Sequence, residues 1–79
     1  MSFERGYTTL CGAVQLFVEK QDDHWSVKLY DRELGKPVGT AEELEEDAAK
    51  QLALRQAKNY LLERGLSAPG EEVVWTTYR

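Results

Sequence analysis

The side chains in this sequence able to do chemistry begin with one thiol and one imidazole. Cys11 as a thiolate with His24 as its base would make a nucleophilic pair. His24 beside Asp22 and Asp23 also offers imidazole and carboxylate donors of the kind that zinc and related ions take. Paired carboxylates for proton transfer would have to come from Glu42, Glu43, Glu45, Glu46 and Asp47. Gly35-Lys36-Pro37-Val38-Gly39-Thr40 sets glycines and a lysine ahead of a helical pattern, as phosphate-binding segments do.

Spacing weighs against each of these. Aspartates are turn formers, and three consecutive residues on one turn aim their donor atoms apart. The glycine segment lacks the P-loop spacing, and the glutamates directly behind it repel an anion. The acids spread around a helix start, where solvation and the helix dipole account for them. No catalytic residue, cofactor or metal is therefore expected, and the chain reads as a non-enzyme.

The elements that position these residues are legible from period and punctuation. Thr40-Ala41-Glu42-Glu43 fits a capping box, in which the threonine hydroxyl and the glutamate carboxylate satisfy each other's backbone N–H groups. A helix is predicted over residues 40–64, with Gly65 taking the left-handed conformation that closes it. Advancing about 100° per residue puts Ala53, Leu54, Ala57, Tyr60 and Leu61 on one arc, the expected sheet-facing stripe. A second arc holds Ala41, Leu44, Ala48, Leu52 and Leu62, and one sheet cannot cover both. Either the first turns form a separate short helix, or the second arc meets a loop, the C-terminal tail or another subunit.

Ahead of the helix, residues 7–38 read as a β-meander. Residues 1–6 form an arm with Phe3 as its anchor. From Tyr7 to Gln21 apolar residues alternate, with Leu10, Gly12, Val14, Leu16 and Val18 facing a core and Cys11, Ala13, Gln15, Phe17 and Glu19 facing away. Gly12 marks a bulge or a bend in this long strand. A turn at Asp22-Asp23 leads into a second strand with Trp25, Val27 and Leu29 inward. Pairing Gln21 with His24 makes all opposed residue numbers sum to 45, so Val18 faces Val27 and Leu16 faces Leu29. Both inward sets then coincide, which a one-residue slip would destroy. That register also parts Cys11 from His24 by ten residues, roughly 33 Å.

Arg32-Glu33-Leu34-Gly35 makes the next turn, and Lys36-Pro37-Val38 a short strand held to an edge by the proline. After a loop over residues 66–70, a C-terminal strand over residues 72–78 carries strong strand formers. The fold class is α+β, in the order β-β-β-α-β: an antiparallel three-stranded meander and a C-terminal strand packed on one long helix. Residues 1–79 form a single small domain, and Trp25 and Trp75 belong to its core.

Composition narrows the functional classes. Five of the fourteen acids sit in residues 42–47; without them the net charge of −4 becomes +1, so the acidity is local. A generic nucleic-acid binder carries a basic footprint, which is missing here. A lone cysteine excludes an intrachain disulfide and, with no secretory leader or apolar run of membrane-spanning length, points to a cytoplasmic protein. A domain of 79 residues sits near the size where one core leaves only about 3–5 kcal/mol of net stability. Homodimerisation is the remaining staple.

The residues 25–49, with Trp-x-Val-x-Leu-Tyr-Asp, a Gly35-Lys36 turn and Gly39-Thr40 before an acidic helix, resemble the arm-type DNA-binding domains of phage integrases. That resemblance implies a sheet face set into a DNA groove, here offering Gln15, Phe17, Glu19, Ser26, Lys28, Tyr30 and Arg32. The whole element order is similar to HicB-type antitoxin domains, with Gly39-Thr40-Ala41-Glu42-Glu43-Leu44 resembling the start of their helix, and implies an oligomer that binds a protein partner. The Gly-Cys and Pro-rich signature of those domains is missing, and none of their functional residues carries over.

One helix cannot cover both faces of such a sheet. The expected interaction surface is Ala13, Gln15, Phe17, Lys28 and Tyr30 on the uncovered face, with Leu44 and Leu52 on the second helical arc. The function that follows is a protein-interaction module that self-associates as a homodimer and can take a further protein partner. The alternative is a nucleic-acid-binding domain that uses the sheet face.

Overall fold

A computed structural model of the chain describes residues 5–67 and 73–78. Within them lie β1 (Gly6–Cys11), β2 (Val14–Lys20), β3 (Trp25–Asp31), β4 (Lys36–Glu43), helix α1 (Glu46–Glu63) and β5 (Thr76–Thr77). The strands form one antiparallel sheet in the order β4-β3-β2-β1-β5, and α1 lies across one of its faces. This is the predicted α+β meander with a helix and a C-terminal strand. The expected anchor Phe3, most of the expected loop over 66–70 and the first residue of the expected strand over 72–78 lie outside the described residues; of the rest of that strand only Thr76–Thr77 pairs with the sheet, and residues 73–75 do not.

The meander has four strands, because the long first strand is two. Gly12 has a φ of 62° and no other described residue of its turn has a positive φ, the signature of a two-residue type II′ hairpin loop. Cys11 therefore pairs with Val14, Thr9 with Leu16 and Tyr7 with Val18. These sums are odd, so the inward face changes parity across the turn. Cys11 is fully buried and Leu10 is 47 % exposed, the reverse of the expected assignment.

The β2–β3 register is the one predicted: Val18 faces Val27, Leu16 faces Leu29, and Lys20 faces Trp25. The Gln21 N–H donates to the His24 carbonyl at 2.8 Å and closes the turn. Gly35, at φ 70°, closes the next turn by donating to the Asp31 carbonyl at 2.8 Å.

The helix starts six residues later than the capping-box pattern places it. Residues from Thr40 to Glu43 continue β4, pairing Thr40 with Lys28, Ala41 with Val27, Glu42 with Ser26 and Glu43 with Trp25. Without that pairing the inward half of β3 would leave backbone groups of Trp25 and Val27 unsatisfied beside the core, a cost that outweighs one cap. The short local pattern loses to the ladder, and α1 begins after Glu45 with no side-chain cap. The helix-start likeness to HicB-type domains at residues 39–44 therefore falls on a strand. β4 is an edge strand, as Pro37 requires, and Val38 is a bulge residue, since Leu29 pairs with Gly39 while Tyr30 pairs with Pro37.

Ala49, Ala53, Ala57 and Leu61 are buried, with Leu54 and Tyr60 partly so, which is the predicted stripe extended one turn. They pack on Cys11, Val14, Leu16, Val18, Val27 and Leu29. The alanines let the helix axis approach the sheet closely. At the C-terminus, Leu66 N–H donates to the Leu61 carbonyl at 2.8 Å and Gly65 N–H to the Leu62 carbonyl at 3.0 Å, a Schellman motif enabled by Gly65 at φ 76°. The second arc dissolves: Ala41 is in β4 and packs toward the core, whereas Leu44 and Leu62 are 77 % and 63 % exposed.

Candidate interaction surface

The face of the sheet opposite α1 is read directly from the strand registers. In one row across the sheet Tyr30 pairs with Gln15, and Gln15 with Leu10. In the next, Lys28 pairs with Phe17, Phe17 with Thr8, and Thr8 with Thr76. In the third, Ser26 pairs with Glu19, and Glu19 with Gly6. Paired residues point to the same side of a sheet. β4 extends the three rows with Pro37, Thr40 and Glu42, so all five strands build one continuous surface from residues far apart in sequence.

Gln15, Phe17, Lys28 and Tyr30 of the expected surface come together here. Ala13 sits in the β1–β2 turn at the rim. Leu44 lies in the bend between β4 and α1, and Leu52 is half-buried on the helix, so neither joins this surface. Leu10 belongs to it and was missed, because its orientation follows from the parity change at Gly12. The two-residue spacing between Cys11 and Val14 was the signal that could have found it.

The C-terminal segment finishes the third row. Tyr78 N–H donates to the Gly6 carbonyl at 3.1 Å, and the Tyr78 ring lies over Gly6, where an added Cβ would stand 2.9 Å from Cζ. The same ring meets Phe17 edge-on at 5.8 Å, and its hydroxyl donates to the Glu19 carboxylate. Thr8 and Gln15 flank Phe17: the Thr8 hydroxyl donates to the Leu16 carbonyl at 2.8 Å and accepts from the Gln15 amide at 3.1 Å. Beside Leu10, the Thr9 hydroxyl donates to the Val74 carbonyl at 2.8 Å where the strand pairing of β5 stops. This leaves a hollow of about 440 Å³ lined by Thr8, Thr9, Leu10, Gln15, Val74 and Thr76.

The groups considered for chemistry lie elsewhere. Cys11 lies opposite Val14 and His24 opposite Gln21, so seven strand steps along β2, roughly 23 Å, part them, fewer than the single long strand implied. Burial raises the Cys11 thiol above its ordinary pKa, against a small opposing pull from Lys58. The His24 ring reaches Asp23 at 2.9 Å and Glu42 at 3.5 Å, and its hydrogen bond holds the Asp23 carboxyl below the usual range. No group of three or more His, Cys, Asp or Glu side chains converges on a common point among the described residues.

A buried polar cluster ties the helix to the sheet. Asp31, fully buried, accepts the N–H groups of Glu33 and Leu34 at 2.9 and 3.0 Å through one oxygen. Its other oxygen accepts the Tyr60 hydroxyl at 2.5 Å and Arg64 at 2.8 Å. These donors, Tyr60 first, pull the Asp31 carboxyl below its usual range, and Asp31 in turn raises the Tyr60 phenol. Every acceptor site is used, so the cluster fastens the β3–β4 turn to α1 and offers nothing to a ligand.

Comparison of the chain with protein families, curated proteins and solved structures finds no match. No described helix is long and apolar enough to cross a membrane.

Proposed function

We propose that this chain is a non-catalytic interaction module that self-associates as a homodimer through the sheet face opposite α1. One observation carries the reading: α1 covers one face only, while Leu10, Phe17 and Tyr30 stand on the other with the polar Thr8 and Gln15 between them. Leu10 is 47 % and Tyr30 36 % exposed, on a domain small enough to gain from further burial. The lone buried thiol suits a reducing compartment, and we assign the protein to the cytoplasm.

The four long strands span roughly 19 by 23 Å from strand spacing and length, about 440 Å² per copy. Two such faces bury about 900 Å², the size of weak, transient interfaces, so the proposed dimer is reversible, with a Kd in the micromolar range or above. Sedimentation velocity from 1 to about 300 µM should show a monomer–dimer equilibrium that Tyr30→Ala shifts toward monomer. A strict monomer over that range overturns the proposal.

A further inference from the structure

The charges on the uncovered face decide how two copies would meet. Phe17 sits at its centre, on the middle strand of five. Lys28 is the neighbour of Phe17 across the sheet, on β3, and Glu19 is its neighbour along β2. The described registers place one cation on this face, Lys28, and a second acid, Glu42, at its β4 edge beside Ser26. Lys28 and Glu19, the two charges next to Phe17, are displaced from it by similar distances, about 4.8 Å across strands and about 6.6 Å along one, in perpendicular directions.

A two-fold axis lying in the interface carries each position onto its reflection across the axis line. With the axis along the cross-strand row through Phe17, Lys28 opposes Lys28. With the axis along β2, Glu19 opposes Glu19. Both aligned packings place like charges face to face. Of the two diagonals, one sets Lys28 against Gln15 and Glu19 against Thr8, which pairs neither charge. The other carries Lys28 onto Glu19 and Glu19 onto Lys28, and runs through Ser26, Phe17 and Leu10.

Resting on the homodimer reading above, we infer that two copies pack face to face with their strands crossed near 90°, Phe17 on the two-fold axis and reciprocal Lys28–Glu19 ion pairs beside it. Near-orthogonal crossing is one of the two established ways sheets stack. Leu10 also lies on this axis, so Leu10 of the second copy seats at the mouth of the hollow between Leu10 and Val74. Tyr30 falls opposite Tyr78 of the second copy. Glu19 keeps its bond from the Tyr78 hydroxyl, since a carboxylate has lone pairs for more than one donor.

Charge reversal tests this geometry. Lys28→Glu opposes glutamate to Glu19 twice per dimer, and Glu19→Lys opposes lysine to Lys28 twice; each should raise the homodimer Kd at least tenfold. An equimolar mixture restores both ion pairs and should form a heterodimer at the wild-type concentration, read by native mass spectrometry and sedimentation. Should Glu19→Lys disturb Tyr78, isotope-filtered NOEs between the Tyr30 ring of a labelled wild-type copy and the Tyr78 ring of an unlabelled one detect the crossed packing without a substitution, since the other three axes set Tyr30 against Ser26, Leu10 or itself. A wild-type dimer unmoved by either reversal, or without those NOEs, overturns the crossed packing and leaves self-association standing. A monomeric wild type overturns both.

Discussion

Arg64, the residue that ends α1, donates from its guanidinium to the buried Asp31 carboxylate at 2.8 Å, joining positions 33 residues apart. Tyr60, one turn earlier, donates to the same oxygen, and the far oxygen holds the β3–β4 turn. The end of the helix and the end of the sheet thus share one acceptor.

Acid should loosen this junction. The folded-state pKa of Asp31 is depressed, so its contribution is complete above the unfolded value of about 3.9 and disappears as pH falls through the folded value. Tyr60 works in the opposite sense: its pKa is raised, so its contribution is complete below about 10 and is lost as pH rises through the folded value. Denaturation midpoints between pH 6 and 2 should fall steeply for wild type. Asp31→Asn should start lower and flatten that slope; an unchanged slope would discount the junction.

Lys50 should prove to be an aromatic anchor rather than a solvated charge. Its Nζ lies 3.9 Å from the Tyr7 ring centroid and 5.7 Å from that of Trp75, and it pairs with Glu46 at 2.8 Å. Lys50→Ala removes these contacts and the stem that covers them, for a loss of about 1–2 kcal/mol in urea unfolding. Trp75 should become more exposed, with a red-shifted emission.

Close approach of α1 rests on small residues. Ala57 is completely buried against the sheet, so Ala57→Leu must push the helix off or force strained rotamers, at about 1–3 kcal/mol. Leu62→Ala, at an exposed position of the same helix, should change the midpoint little. Equal effects from the two would contradict the observed facing of the helix.

The Cys11 thiol should resist modification in the native state. It is fully buried and its pKa is raised by burial, so little reactive thiolate is present at neutral pH. Reaction with a disulfide reagent should be slow in buffer and immediate in denaturant. Fast native labelling would return Cys11 to the outer face that its alternation in a single long strand had implied.

Local chemistry determined much of this protein from sequence alone. The β2–β3 register followed from two coincident apolar sets around Asp22-Asp23, and Pro37 fixed an edge. Gly65 set the helix end, and the stripe through Ala53, Ala57 and Leu61 set its buried face. Each is specified by neighbours within a turn or a hairpin. What only the tertiary structure decided depends on partners distant in sequence. Thr40-Ala41-Glu42-Glu43 is a sound cap in isolation, but β3 needed a partner there. Gly12 reads from sequence as a bulge or a bend in one long strand, and only the folding of β2 back on β1 makes it a turn, which puts Cys11 inward and Leu10 outward. The placement of Lys28 and Glu19 around Phe17, on which the crossed dimer rests, exists only once those registers are set, because a sheet face is assembled across strands and not along one.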